Sequence, residues 1–290
     1  MSLTLASIPS PSSGSIDIGP LQLHAYGVML LLGILAATWL TGVRWTRRGG
    51  DWDLVFRVAM WGVAGGIVGA RIYHVITSWS EVPDPKWQGV FEIWNGGLGV
   101  WGGILGGVIA GAIVVRRSGN SVYRFMDAVA PGLLLAQAIG RWGNWWNQEL
   151  YGKHTTLPWG LEIHGKGAAN TYHPTFLYEF LWNLIGVFVL LYVDRRFRIR
   201  RPGLFALYVS WYTLFRMYEE TLRIDPSSHF AGQRLNFWVS LACFLISVAF
   251  FAWWQFLRTP SEDKPHVKKA RPVPKGPTMA VPRGRVRQRG

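Results

Sequence analysis

Three stretches of this 290-residue chain, 18–43, 93–115 and 235–257, contain no Asp, Glu, Lys or Arg. Crossing the hydrocarbon of a bilayer takes about 20 apolar residues in helical conformation, so each of the three is long enough to span it. Four further apolar runs, 54–78, 122–140, 175–193 and 203–222, are edged or interrupted by a few charges. The expected fold class is therefore all-α, a polytopic membrane protein with seven transmembrane helices. Only 16% of the residues are charged, against about a quarter in an average soluble chain, which argues against both a disordered protein and an ordinary soluble domain.

The net charge of +14 has an uneven source. Residues 258–290 carry ten Lys/Arg and two acidic residues, which divides the chain into a membrane domain, 1–257, and a basic tail, 258–290, that reads as disordered and cytoplasmic. Other basic clusters follow the first span (Arg44, Arg47, Arg48), the third (Arg116, Arg117) and the fifth (Arg195, Arg196, Arg198, Arg200, Arg201). Lys and Arg accumulate on cytoplasmic loops, and seven crossings put all of these clusters and the tail on one side. The N-terminus is then outside and the C-terminus inside. The charge explains orientation and contact with membrane lipids, and implies no nucleic-acid partner. The first 20 residues contain no Lys or Arg, unlike the start of a cleaved leader, so the first span is expected to be retained. The single cysteine, Cys243, lies within the seventh span and reads as packing.

With orientation assigned, the ionisable residues of the spans converge on the outer side: His24 and Tyr26, Arg71, Arg141, His173 and Glu179, then Tyr212, Arg216, Glu219 and Glu220. Charges inside spans are costly and mark function more often than packing. Three arginines, Arg71, Arg141 and Arg216, point to an anionic ligand. Tyr212, Arg216 and Glu220 recur every four residues and share a helix face. Two segments read as loops or breaks. The first, 95–103, is rich in glycine; close helix packing is the expectation for 102–111, and the start of the segment could be a broken helix. The second, 140–152, interleaves Arg141, Asn144, Asn147 and Glu149 with four aromatics just outside span four.

The second segment makes the sequence recognisable. Gly140-Arg141-Trp142-Gly143-Asn144-Trp145-Trp146-Asn147-Gln148-Glu149 resembles the signature G-R-x-G-N-x-x-N-x-E of the prolipoprotein diacylglyceryl transferase family. Agreement extends to His24-Ala25-Tyr26-Gly27, Gly69-Ala70-Arg71, Asp127 before Ala130-Pro131, the run His173 to Glu179, and the Tyr212, Arg216, Glu220 face. The resemblance covers about residues 20 to 257 and leaves out the tail. It implies a multi-pass enzyme of the bacterial plasma (inner) membrane, with its active site toward the outer leaflet and no metal or organic cofactor. Such an enzyme transfers the diacylglyceryl group of phosphatidylglycerol to the lipobox cysteine of a prolipoprotein signal peptide. A thioether forms and glycerol phosphate is released, the first step of bacterial lipoprotein maturation. Arg141 and Arg216 would be the essential arginines, with Tyr26, Asn144, Glu149, Tyr212 and Glu220 in the same site and Arg71 beside Arg141, Asn144 and Arg216 as a lipid-binding residue.

One departure matters. Many members of the family carry a His where this chain has Trp101, and an indole cannot exchange a proton near neutral pH. A mechanism using that His as base cannot operate here. The thiol must still become a thiolate, and the departing phosphate gains charge; guanidinium groups favour both. His173 has the right chemistry to accept the proton, as do substrate phosphate or solvent. The alternative from the residues is a transporter with broken helices and an outward-facing anion site, marked by Gly-rich breaks, although the charges cluster outside rather than at mid-membrane and no inverted repeat is visible. A retinal receptor is excluded, because all seven lysines lie outside the spans.

Overall fold

The computed structural model describes residues 7–18, 21–165 and 171–258; nearly all of the basic tail and part of the 153–172 loop lie outside them. Seven long helices account for most of the described residues: α1 (Ala25–Arg47), α2 (Trp52–Thr77), α3 (Val100–Arg117), α4 (Val122–Asn147), α5 (Thr175–Arg196), α6 (Gly203–Leu222) and α7 (Leu235–Ala252), the last continued by a wider π turn, Trp253–Leu257. Five of them, α1, α2, α3, α5 and α7, are long and apolar enough to cross a membrane. α4 and α6 fall short of that composition because they bury polar side chains between neighbours: Asp127 and Asn144 on α4, Thr213, Glu219 and Glu220 on α6. Large apolar side chains such as Leu35, Trp39, Met60, Trp61 and Ile246 are instead exposed on the outside of the helices, the distribution expected of a surface that faces lipid.

The links 48–51, 118–121 and 197–202 are short, so consecutive helices alternate in direction. All three two-stranded pairs sit at the other end of the bundle. β1 (Ser15–Ile18) pairs antiparallel with β2 (Leu21–His24) ahead of α1, β3 (Leu161–Glu162) with β4 (Thr171–Tyr172) between α4 and α5, and β5 (His229–Phe230) with β6 (Gln233–Arg234) ahead of α7. The first expected span therefore begins at Ala25 rather than residue 18, the residues before it being spent on a hairpin. A small apolar nucleus of Leu161, Ile163 and Phe176, with Ile8, Trp142 and Trp145 against it, holds this cap together. Ile8 bridges to Leu161, and the N-terminal segment accepts hydrogen bonds from the Trp145 indole (3.1 Å, Pro9 carbonyl) and the Gln148 amide (2.8 Å, Pro11 carbonyl). Two signature tryptophans thus pack inside the cap instead of forming a lipid-facing belt.

The glycine-rich segment resolves into two parts. Residues 96–99 form a turn, with Gly96 and Gly97 at φ +85° and +71°, a region that disfavours side chains. The helix α3 starts only at Val100, not at 93, and packs face to face with α2 through small residues: a Cβ on Gly102 would overlap the Gly69 carbonyl, and one on Gly106 would overlap that of Gly65. Close packing, rather than a broken helix, explains this run. α1 packs in the same way on α4, which also contacts α5 and α6 and is the central helix of the bundle.

The α2–α3 contact yields a paired prediction. Gly102→Val forces two backbones apart and should cost about 2 kcal/mol or more in detergent unfolding. Gly103→Ala, whose Cβ would meet nothing closer than 3.5 Å, should stay within about 0.5 kcal/mol.

Candidate active site

The strand-bearing end of α4, α5 and α6 carries the densest set of charges in the described residues. Of the segment 140–152, expected as a loop, residues 140–147 are instead the last turns of α4, which is capped by Gln148 in the left-handed conformation (φ 52°). Helical spacing places Arg141 and Asn144 on one face. The Arg141 guanidinium donates to Asn144 Oδ1 (3.3 Å), and Asn144 Nδ2 donates to Glu149 Oε1 (3.0 Å), which also accepts from Asn147 Nδ2 (3.2 Å). Glu149 thereby fixes the helix end, and its backbone N–H caps the Asn144 carbonyl.

On its other side Arg141 pairs with Glu179 of α5 and lies 3.8 Å from Glu219 of α6. Arg216 pairs with Glu219 (2.5 Å) and Glu220, three and four residues on, and lies 3.8 Å from Glu179. Glu220 is also bound by Arg234 at the end of β6 (2.5 Å). Arg234 in turn shares Asp225 with Arg223, at 2.8 Å and 2.7 Å. Four arginines and four carboxylates from α4, α5, α6 and β6 thus form one neutral network.

The network has a front and a back. The side chains of Glu179, Glu219 and Glu220 are 2%, 1% and 0% exposed, whereas those of Arg141 and Arg216 are 15% and 14% exposed. The carboxylates are the more deeply buried partners and the two arginines the more accessible ones. Tyr212 stands beside both arginines, one helical turn before Arg216. Tyr26, the second residue of α1, lies against Gly143, where any side chain would press into its ring. Behind the arginines, Glu219 Oε1 and Asn183 Oδ1 are buried acceptors without a hydrogen-bond partner among the described residues, an arrangement that calls for a donor from water or ligand.

Two expected site residues stand apart. Arg71 donates to the carbonyls of Val90 (2.9 Å), Gly96 (2.8 Å), Gly97 (3.0 Å) and Gly89, so most of its fork is committed to holding the link between α2 and α3. His173 pairs through Nδ1 with the Tyr178 hydroxyl (3.1 Å), and no described contact joins it to the arginines. Trp101 lies in the first turn of α3 with half its surface exposed.

The family model for prolipoprotein diacylglyceryl transferase matches residues 14–253, which include every residue of this network. The chain belongs to that family. Curated relatives include the phosphatidylglycerol–prolipoprotein diacylglyceryl transferases of Bifidobacterium adolescentis (45% identity over 86% of this chain and 80% of that protein) and Streptomyces griseus (46%, 86% and 78%). That of Frankia alni is 51% identical over 82% of this chain, a match that spans 65% of its own length. In this family member the arginine pair is built together with carboxylates that sequence reasoning placed nearby but did not assign to the site, Glu179 and Glu219, and with Arg223, Asp225 and Arg234, which it did not single out. The signals were present: Glu179 falls within an otherwise apolar span, and Glu219 lies three residues after Arg216.

The rim of the network gives a pH prediction. Burial alone would raise the Asp225 carboxyl, but hydrogen bonds and charge from Arg223 and Arg234 outweigh it and hold the group below the ordinary aspartate range. Its contribution is complete above the unfolded value of about 3.9 and is lost as pH falls through the lower folded value. Asp225→Asn should therefore cost about 1–3 kcal/mol at neutral pH, a difference that shrinks toward zero when unfolding is measured below about pH 4.

Proposed function

We propose that this protein is a phosphatidylglycerol–prolipoprotein diacylglyceryl transferase that crosses the bacterial plasma membrane seven times, N-terminus outside and C-terminus inside, with the strand-bearing end at the outer leaflet. The observation that carries the mechanism is the pairing of Arg141 and Arg216, the more accessible partners, with the fully buried carboxylates Glu179, Glu219 and Glu220. Family membership and the names of the curated relatives carry the reaction. The same names disfavour an anion transporter, and packed glycines replace the helix break that such a reading required.

In the reaction the thiol sulfur of the lipobox cysteine attacks the glyceryl carbon that bears the phosphate. A carbon–sulfur bond forms, the carbon–oxygen bond breaks, and its electron pair leaves with glycerol phosphate. Arg141 and Arg216 hold the phosphate and take up the charge that grows on it, an effect strongest where water is excluded. Their planar forks match phosphate oxygens, and Glu179, Glu219 and Glu220 keep the forks from collapsing onto each other. Asn144, held between Arg141 and Glu149, Tyr26, packed against Gly143, and Tyr212, beside both arginines, complete the arginine side of the site. Arg71 acts by positioning the α2–α3 link.

Proton transfer has no residue at position 101 to perform it. Burial and the nearby Lys153 lower the His173 pKa, and its tie to Tyr178 turns it away from the arginines. The thiol proton therefore passes to the departing phosphate or to solvent. The lipobox cysteine of a prolipoprotein signal peptide, outer-leaflet phosphatidylglycerol and no further cofactor complete the reaction.

Reconstitution of the purified protein with phosphatidylglycerol and a lipobox peptide tests the proposal: thioether product and glycerol phosphate should appear together. Arg141→Ala or Arg216→Ala should abolish both in protein that remains folded, a loss of at least about 10²-fold. Folded protein that yields neither product would overturn the reading. His173→Gln should retain near-normal turnover across neutral pH, and a loss of 100-fold with an unchanged melting temperature would restore His173 as the base, within the usual range for general-base catalysis of roughly 10²–10⁴-fold.

A further inference from the structure

The opposite end of the bundle holds a second group of arginines, and it is not neutral. Arg44, buried at the end of α1, donates to the carbonyls of Ala128 (3.0 Å) and Asp127 (2.8 Å) and lies 3.2 Å from Asp194. Arg48 binds both oxygens of Asp194 at 2.6 Å. Asp127 is occupied by the Phe205 backbone N–H (3.0 Å) at the start of α6. Arg124, in the first turn of α4, lies over the Trp45 ring at 5.9 Å and donates to the Arg48 carbonyl (3.2 Å), while its Nε is buried without a partner. Arg201, exposed in the link before α6, has Arg124, Arg48, Asp127 and Asp194 as its charged neighbours. Four arginines here meet only two aspartates. Topology signals need charge in water, whereas Arg44 is buried and Arg48 and Arg124 are partly so beside like-charged neighbours.

Beside this cluster an apolar groove of about 430 Å³ opens between the starts of α4 and α6 and the end of α7, lined by Tyr123, Met126, Phe205, Val209, Cys243 and Phe250 among others. Its size falls within the range of about 300–1,000 Å³ that holds small-molecule ligands. Phe205 on its wall is the residue whose N–H binds Asp127 of the cluster, and Pro202 on its wall is the chain neighbour of Arg201. Excess cationic charge thus adjoins the mouth of an apolar slot, a juxtaposition that matches a phosphate headgroup joined to an acyl chain.

We propose that Arg48, Arg124 and Arg201 bind the phosphate of an anionic phospholipid of the inner leaflet, with one of its acyl chains in the groove beside Cys243. The site is separate from the arginine–carboxylate network at the other end, and its occupant is retained rather than transformed. Occupancy would neutralise the arginine excess and fasten α4, α6 and α7 where their ends meet the membrane surface.

Cys243 is the only cysteine in the chain and reports on the groove directly. The rate of its alkylation by N-ethylmaleimide is measured on the full-length protein in detergent, with added dioleoyl phosphatidic acid, dioleoyl phosphatidylcholine or inorganic phosphate. Phosphatidic acid should slow alkylation by about tenfold at ten times its Kd, and the other two should leave the rate unchanged. The double variant Arg124→Gln/Arg201→Gln should lose this protection while keeping transferase turnover, which also verifies its fold. Val209→Trp, which fills the groove and leaves the arginines intact, should lose it too. If the double variant does not fold, Arg201→Gln alone, in an exposed link, gives the same reading. Equal protection by phosphatidylcholine, protection by inorganic phosphate alone, protection that survives the arginine substitutions, or no protection by phosphatidic acid would each overturn the proposal.

Discussion

The pairing of Arg141 and Arg216 with Glu179, Glu219 and Glu220 is the constraint on which the rest of the structure depends. Isolated charges cannot stay ionised in a dry helix bundle, and removing one member of a buried pair costs about 3–5 kcal/mol. The network therefore requires α4, α5 and α6 to meet in one register, and the bond from Glu220 to Arg234 requires the hairpin ahead of α7 to close onto them. It fixes the arginine side chains and the helices with the same contacts. Because the carboxylates are the more deeply buried partners, the arginines are left as the more accessible face of a group that is neutral overall. Such a face can take up a phosphate as charge develops on it without first binding an anion so tightly that turnover stops.

Much of this was legible from the chain. The uncharged runs and the basic clusters identify the long helices, because hydrocarbon and a period of 3.6 residues are strong constraints. Their ends were less legible. Residues 18–24 and 93–99 are as uncharged as the helices they precede, but a hairpin and a glycine turn take them up; hydropathy alone cannot separate an apolar strand from the start of a span. Arg141 to Glu149 reads as a loop because of its polarity. It is helical as far as Asn147 because those polar groups satisfy each other and the helix end, a tertiary effect that local composition does not contain. Arg71 belongs to the family pattern, yet its role follows from the carbonyls that turn inward at Gly96 and Gly97, and only coordinates reveal those.

The two ends of the bundle treat positive charge in opposite ways. At the strand-bearing end, Arg141, Arg216, Arg223 and Arg234 are matched by carboxylates from neighbouring elements. At the other end, Arg44 and Arg48 share Asp194, while Arg124 and Arg201 are left with little compensation. The contrast explains why the net charge of the chain says little about its chemistry. The arginines proposed to carry the reaction are cancelled locally, and the less compensated ones lie at the opposite end of the bundle.

The central claim is that planar, carboxylate-held arginine forks, and not positive charge alone, stabilise the departing phosphate. Steady-state transfer by Arg216→Lys, in the same phosphatidylglycerol bilayers and with folding verified by melting temperature, tests it most directly. The account predicts a fall in kcat/KM of about 100-fold or more, since an ammonium keeps the charge but cannot bridge Glu219, Glu220 and a phosphate at once. Transfer within a few-fold of the parent protein would show that a point charge suffices, and would contradict the account.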